Sequence, residues 1–480
     1  MKLTKDLSHL FNENYTMVNK KIGDDFNRWG SLPLDFGSRI MTVKMIILPR
    51  LLYLFQSLPV KISDTQFKAW DKQISRFIWE GKKPRIRYNT LQLPREEGGM
   101  ALPCLRDFYT AAQLSPLILW CNPEYEANWK DIEISLLGRP VQSLLGCPSA
   151  IGDLPDLQNQ WVCFSLNVWL DFVKKFQIQK EIKILRWPAY DPDFQPASLD
   201  LKYRQWIRYG ITSYSSLVKD GKLMAFQAMS EKYGLERKDV YRHMQIHHYY
   251  QNEVKAQSME EQSGVTQMFI KAYNSESTRR IIGNLYSSIL LIKNYSTDYI
   301  KQKWERELDA AISQEEWTTI IHTQMSTTNS QCWRNFCWKN LVRFFITPKI
   351  KSKQTGHQTQ CWRLCGQLMA DHTHIFWSCP ALQPFWTQVQ ATTRRILGFD
   401  MDFSCLSFYL GNIPKDLQNR DEYLLKIFMV ASKKAITRRW LLREPPTLNQ
   451  WVSIVNDILR LQKEKGKDFW AKWVTYLANM

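Results

Sequence analysis

A chain of 480 residues with 20 Trp, 23 Phe and 20 Tyr is long enough for two or three domains and too rich in aromatic residues to be a disordered basic tail. Its 64 Lys and Arg against 46 Asp and Glu leave a net charge of +18. Such a surplus suits a polyanion, because neutralising phosphates releases their counterions. The charge is uneven: residues 1–100 and 331–480 are strongly positive and residues 101–200 are net negative, so polyanion contacts are expected from the two ends.

Helical periodicity dominates the chain. In IGDDFNRW the acids Asp24 and Asp25 suggest a metal-binding pair, but Ile22, Phe26 and Trp29 share one helical face and no hairpin signal brackets them. A solvated helix face is therefore expected for both acids. From Arg39 to Leu58 apolar residues recur at three- and four-residue steps, predicting a helix kinked at Pro49 with Arg39, Lys44 and Arg50 on its polar edge. A second helix, Asp64 to Trp79, starts at a cap on Ser63 or Asp64 and is expected to bury Phe67, Trp70, Ile74, Phe77 and Ile78. Gly81 ends it, and the loop that follows presents Lys82, Lys83, Arg85 and Arg87 before a turn at EEGGMALP.

The middle is less patterned. Prolines at 188–196 suggest a boundary, and helices are predicted over Trp161–Phe176, Ser213–Tyr233, Arg237–Asn252 and Thr297–Ile312. No alternation strong enough for a large sheet occurs. Further on, helices are expected at Gln331–Phe345, around Phe385, Trp386, Val389 and Thr392, at Glu422–Leu442 and at Leu448–Leu461, with a basic linker between the first of these and residue 361. The longest apolar runs, such as Ile289–Ile292 with its neighbours, read as too short to cross a bilayer. No signal peptide opens the chain, so the ten cysteines are expected to be reduced, intracellular thiols.

Cys361, Cys365, His374 and Cys379 form a C-x3-C-x8-H-x4-C array. Four such ligands within about twenty residues suit one tetrahedral Zn2+, and a closed set of four makes its role structural. The array lies in one-signed charge: between Glu316 and Asp371 there is no acid, while Arg334, Lys339, Arg343, Lys349, Lys351, Lys353 and Arg363 are present. Trp362 and Arg363, beside the first ligand, are candidates to stack on an unpaired base and to contact phosphate. Phe376, Trp377, Phe385 and Trp386 are alternatives for contact or for core, with core expected for Trp377 and Trp386. Cys332 and Cys337 are expected in the core, and His357 in solvent.

The ordered segments GSRIMTVKMIILPRLLYLFQSLPVKI, FIWEGKKPRIR, EEGGMALP, CWRLCGQLMADHTHIFWSCPALQPFW and LGNIPKD resemble the C-terminal portion of the second-open-reading-frame protein, a reverse transcriptase, of vertebrate LINE-one non-LTR retrotransposons. The likeness spans nearly the whole chain and is strongest at both ends. It implies a mostly α, multi-domain chain with a small CCHC zinc knuckle near its C-terminus. Residues 1–120 would be a thumb-like helical region with a basic loop, 121–330 a helical, wrist-like middle, and 331–480 a basic helix, the knuckle and C-terminal helices. The family has one residue fewer between the second Cys and the His, so His372 competes with His374, which keeps the H-x4-C half.

The same resemblance implies a non-catalytic RNA- and DNA-binding role, holding element RNA and primed target near the polymerase site during target-primed reverse transcription. Paired Mg2+ would be held by palm carboxylates upstream of the first matched segment, so this chain is not expected to polymerise or cut by itself. The implied partners are retrotransposon RNA, target DNA and the upstream polymerase and endonuclease domains, in a cytoplasmic ribonucleoprotein and in the nucleus, with no membrane. The implied contacts are Arg39, Lys44, Lys82, Lys83, Arg85, Arg87, Arg334, Arg343, Lys349, Lys351, Lys353, Trp362 and Arg363. Two other functions fit the sequence: a decayed, inactive retrotransposon fragment, or a zinc-stabilised protein-interaction module.

Overall fold

The computed structural model describes every residue except 6, 136–141, 149–159, 220–221, 256–261, 275–278, 329, 415–416, 461–470 and 479–480. Helices dominate. Among the described residues the one sheet is a two-stranded antiparallel hairpin, Val218–Lys219 against Lys222–Leu223. The chain divides into two compact units that interleave along the sequence. Unit 1 takes residues 1–32, 42–74 and 103–294, and unit 2 takes 33–41, 75–102 and 295–480.

The axis of unit 1 is the helix Leu105–Cys121, on which the helices Leu48–Ser57, Gln160–Phe176, Gly264–Tyr273 and Ile281–Lys293 pack. It is apolar on several sides, and Leu105, Ala111, Ala112, Leu114, Leu117 and Ile118 are all buried, as a helix with no solvent face must be. Its polar groups are satisfied internally. Asp107 pairs with Lys293 at 2.6 Å. Gln113 Nε2 donates to the carbonyls of Phe55 and Leu58, groups that the helix ending at Ser57 leaves open. Trp169, fully buried, donates its indole N–H to Leu145 O at 2.9 Å and packs on Phe269.

Several expectations change at this level. The helix around Pro49 starts at Phe36 and passes through a π turn, Val43–Ile47, before resuming at Leu48. Proline has no N–H for the carbonyl four residues back, and the π turn sets its ring in the first turn of the next helical segment instead of kinking a continuous one. This run, Phe36–Ser57, has a mean hydropathy of 1.3 and is long and apolar enough to span a bilayer by length and composition, which the short apolar runs did not suggest. It also carries Arg39, Lys44 and Arg50, and it buries Val43, Ile47, Leu51, Leu54 and Phe55. Asp25 is not solvated: it is buried against Arg50 and Arg28, while Asp24 is exposed. Ser213–Tyr233 is not one helix either. Ser213 caps a single 3-10 turn, the hairpin follows, and only Phe226–Tyr233 is α-helical. Residues 188–196 mark no boundary between the two units, since Pro188, Ala189 and Phe194 are buried within unit 1.

In unit 2 the helices Gln314–Ser326 and Gln331–Leu341 pair, the first opened by a Ser313–Glu316 capping box. The helices Gln383–Leu397, Asn419–Arg438, Leu448–Arg460 and Ala471–Ala478 form a C-terminal bundle around Phe428, Trp451 and Trp473. The segments 33–41 and 75–102 join this unit through aromatic packing: Phe36 stacks on Trp338, Trp79 stacks on Phe344, and Trp338 donates to Gly98 O. Lys433 lies buried in the bundle, its ammonium bonded to Gln324 Oε1 and Tyr409 O.

Two measurements follow from this packing. Trp169→Ala is expected to lower the stability of unit 1 by about 3–5 kcal/mol in denaturant unfolding, and a loss below about 1 kcal/mol would show that the site collapses freely. Desolvation pushes the Lys433 ammonium down to about 8, below the roughly 10.4 of an unfolded lysine. Between those values the unfolded chain binds the extra proton, so the cost of this buried charge falls as pH rises. Relative to Lys433→Met, the wild type is therefore expected to gain on the order of 2 kcal/mol between pH 7 and pH 10.

Candidate metal centre and basic cleft

Residues 360–369 form a tight turn-back, closed by a bridge between Gln360 and Leu368 and by the Cys361 N–H to Gln367 O bond of 2.8 Å. Leu364, Gly366 and Met369 take positive φ, which lets the chain reverse within so few residues. This loop supplies Cys361 and Cys365. The other two ligands come from a π turn, His374–Ser378, in which the Cys379 N–H bonds to His374 O at 3.0 Å. That five-residue repeat places His374 and Cys379 on one side of the turn, which ordinary α winding does not do.

Cys361 Sγ lies 3.9 Å from Cys379 Sγ, and Cys365 Sγ lies 3.3 Å from His374 Nε2. The four ligand atoms fall within 4.8 Å of one another. Metal–sulfur bonds of about 2.3 Å in a tetrahedron imply sulfur pairs about 3.8 Å apart, so this set can hold a metal ion. The Cys379 thiol is pushed well below the usual thiol range, first by the Cys361 hydrogen bond, with His374 and the Ala381 N–H adding to the effect. Cys361 moves up as its partner, while the Arg363 N–H bonds its sulfur. Backbone N–H groups aimed at thiolates in this way orient metal ligands.

His372 is excluded from the set by its own bonds. It is buried, its Nε2 meets Tyr409 Oη at 2.8 Å, and Tyr409 donates in turn to Asn340 Oδ1. Burial, then Arg343 and Lys433, hold the imidazole well below the usual histidine range. It serves as an aromatic core group, packed on Phe376 and Trp304. Trp386 and Phe385 are likewise core and Trp377 packs beside Trp386, as expected, and Cys337 is buried, but Cys332 is exposed.

The basic segments meet elsewhere in unit 2, around a cavity of about 1040 Å³. Lys82, Lys83 and Arg85 line one wall. Lys349 and Lys353 line another, on the helix Pro348–Thr355, where an irregular basic linker was expected. Arg343 and two cations that the periodicity did not single out, Lys303 and Arg306 on the helix Asp298–Leu308, complete the lining. Spacing of three on one exposed helix face was the available signal for that pair. Two carboxylates oppose these eight cations, and both are engaged. Glu307 pairs with Arg343 and accepts from Thr373 Oγ1, and Asp371 pairs with Lys349 and accepts the His374 N–H. Lys82 pairs with Glu80. Among the described residues no carboxylate pairs with Lys83, Arg85, Lys303, Arg306 or Lys353. Lys303 is held below the usual lysine range by desolvation and then by Arg343, Arg87 and Arg306.

Other expected contacts lie apart from this cavity's lining. Arg39 is buried, bonded to the carbonyls of Leu34 and Phe77 at a helix end. Arg363 is buried too, its Nη1 on Ile375 O, tying the loop to the π turn. Both guanidiniums are taken up by backbone carbonyls of the fold. Lys44 belongs to unit 1, and Arg334 is half-buried near Arg95. The Arg87 guanidinium lies over the Tyr299 ring, 4.2 Å from its centroid, and the ammonium of Lys351 sits over half-buried Trp362. A search against known protein-family models finds no match for the chain.

Metal stoichiometry by native mass spectrometry separates the two histidines. His374→Ala is expected to abolish or strongly weaken metal retention, whereas His372→Gln keeps the metal and lowers only stability; the reverse pattern would move the ligand to His372.

Proposed function

We propose that this chain is a non-catalytic, nucleic-acid-binding C-terminal part of a LINE-type reverse transcriptase, with Zn2+ as the structural ion of the Cys361, Cys365, His374 and Cys379 centre. The observation that carries the reading is the cleft of unit 2, where three segments, the first and last more than 250 residues apart in sequence, line one cavity with five cations that no described carboxylate pairs. A phosphodiester backbone supplies the missing negative charge, and the volume suits a single strand threaded through it better than a duplex, which needs a groove-scale surface. Tyr299, which lines the cavity, and Arg87, whose guanidinium lies over its ring, offer groups on which an unpaired base stacks. In this reading the chain holds element RNA and primed target DNA beside a polymerase site supplied by upstream sequence, in a cytoplasmic ribonucleoprotein and in the nucleus. Three Cys and one His are the donor set of a closed zinc site, which stabilises the fold and leaves no position for an activated water.

The test is the salt dependence of oligonucleotide affinity. A single strand that engages five cations gives a log–log slope of about −3.5, and Lys83→Ala or Lys353→Ala each reduces its magnitude by about 0.7. A slope near zero, or one that ignores both substitutions, would instead favour an inert remnant or a protein-binding module.

A further inference from the structure

The helix Pro348–Thr355 is a poor helix by itself. It has eight residues, carries three lysines and buries only Pro348 and Ser352. Helices this short are marginal in water, and Lys349 in its first turn faces the unfavourable end of the helix dipole. What holds it comes from the ligand-bearing loop. The Lys349 N–H donates to Ala370 O at 3.0 Å, and Ser352 Oγ accepts the Thr359 N–H at 2.8 Å. Met369 N–H closes the loop on Thr359 O. Asp371 joins both structures with its two oxygens: one accepts the His374 N–H at 3.1 Å, and the other pairs with Lys349 at 3.5 Å. Thr359, Ala370 and Asp371 therefore anchor the basic wall of the cleft, and each lies within about five residues of a cluster ligand.

We propose that occupancy of the Cys/His centre sets this wall, so that metal and polyanion bind with positive coupling. The inference rests on the polyanion reading of the cleft. With four ligands drawn to one ion, the loop and the π turn are fixed relative to each other, and Asp371 is held where it orients Lys349. Without that closure the link is reduced to thiol contacts and the Arg363 bond to Ile375 O, and Lys349 and Lys353 lose their frame. Lys82, Lys83 and Arg85 have no such tie, because Arg85 is held by Phe344 O and the Phe344 ring. Linkage requires reciprocity: a bound strand raises metal affinity by the factor by which metal raises strand affinity.

The experiment measures affinity for a fluorescent single-stranded oligonucleotide with the full chain, zinc-loaded and chelator-stripped, in the wild type, Lys83→Ala and the double variant Lys349→Ala/Lys353→Ala. Stripping is expected to weaken binding by about fivefold or more in the wild type and in Lys83→Ala, and by less than about twofold in the double variant, which has already lost the wall. Saturating oligonucleotide is expected to slow zinc transfer to a chelating dye in the wild type. Equal loss on stripping in all three proteins would mean general unfolding and would overturn the coupling, as would wild-type affinity that ignores the metal. Absence of any binding by the zinc-loaded wild type would overturn the nucleic-acid reading and the coupling together.

Discussion

Like charges gathered within a Debye length of about 10 Å repel unless something neutralises them, and unit 2 gathers eight cations on one cavity against two carboxylates. Most features of the site follow from how that repulsion is managed. The two acids are placed where a cation also holds the fold together. Glu307 fixes Arg343, which lies over Trp304, and Asp371 joins Lys349 to the turn that carries His374. Aromatic rings take further charge. Arg85 lies over Phe344, Arg87 over Tyr299 and Lys351 over Trp362, each contact contributing about 0.5–1 kcal/mol at an exposed site. The remaining positive field is what a polyanion would neutralise.

The Cys/His cluster solves a different problem close by. Residues 359–379 contain a turn-back, three residues at positive φ and a π turn, and no regular element long enough to stabilise itself. Such a segment needs either a cross-link or a dense core beneath it. It has the core, since Ile375, Phe376 and Trp386 are fully buried, and four side-chain atoms that could hold a metal ion converge in it. Arg363 adds a tie through Ile375 O. Its burial shows how an arginine next to a ligand can be part of the knuckle's scaffold instead of its contact face.

Much of the fold was legible in the chain. Phe67, Trp70, Ile74, Phe77 and Ile78 are all buried where helical periodicity placed them, and the helix containing them spans Asp64–Ile78. Periodicity failed where backbone chemistry competes with it. Ser213 caps a 3-10 turn ahead of a hairpin, and a π turn precedes Pro49, since neither device has an apolar period to reveal it. The all-round burial of Leu105–Cys121 also went unread, because a helix surrounded by others has no polar face to make its period visible.

At the site, ligand spacing and residue chemistry named Cys361, Cys365, Cys379 and a histidine at 374 or 372, because a tetrahedral ion constrains donor type and separation within one short segment. The overall positive balance and its concentration at the two ends were likewise properties of the sequence. Tertiary structure alone decided between His372 and His374, through the bond that commits His372 to Tyr409. It also decided which cations share a surface. Lys82 and Lys353 are far apart in the chain yet line one cavity with Lys303 and Arg306, while Arg39 and Arg363 are turned inward onto carbonyls. Charge count is local to the chain, but burial and neighbourhood depend on long-range packing, and one-dimensional spacing carries no record of that.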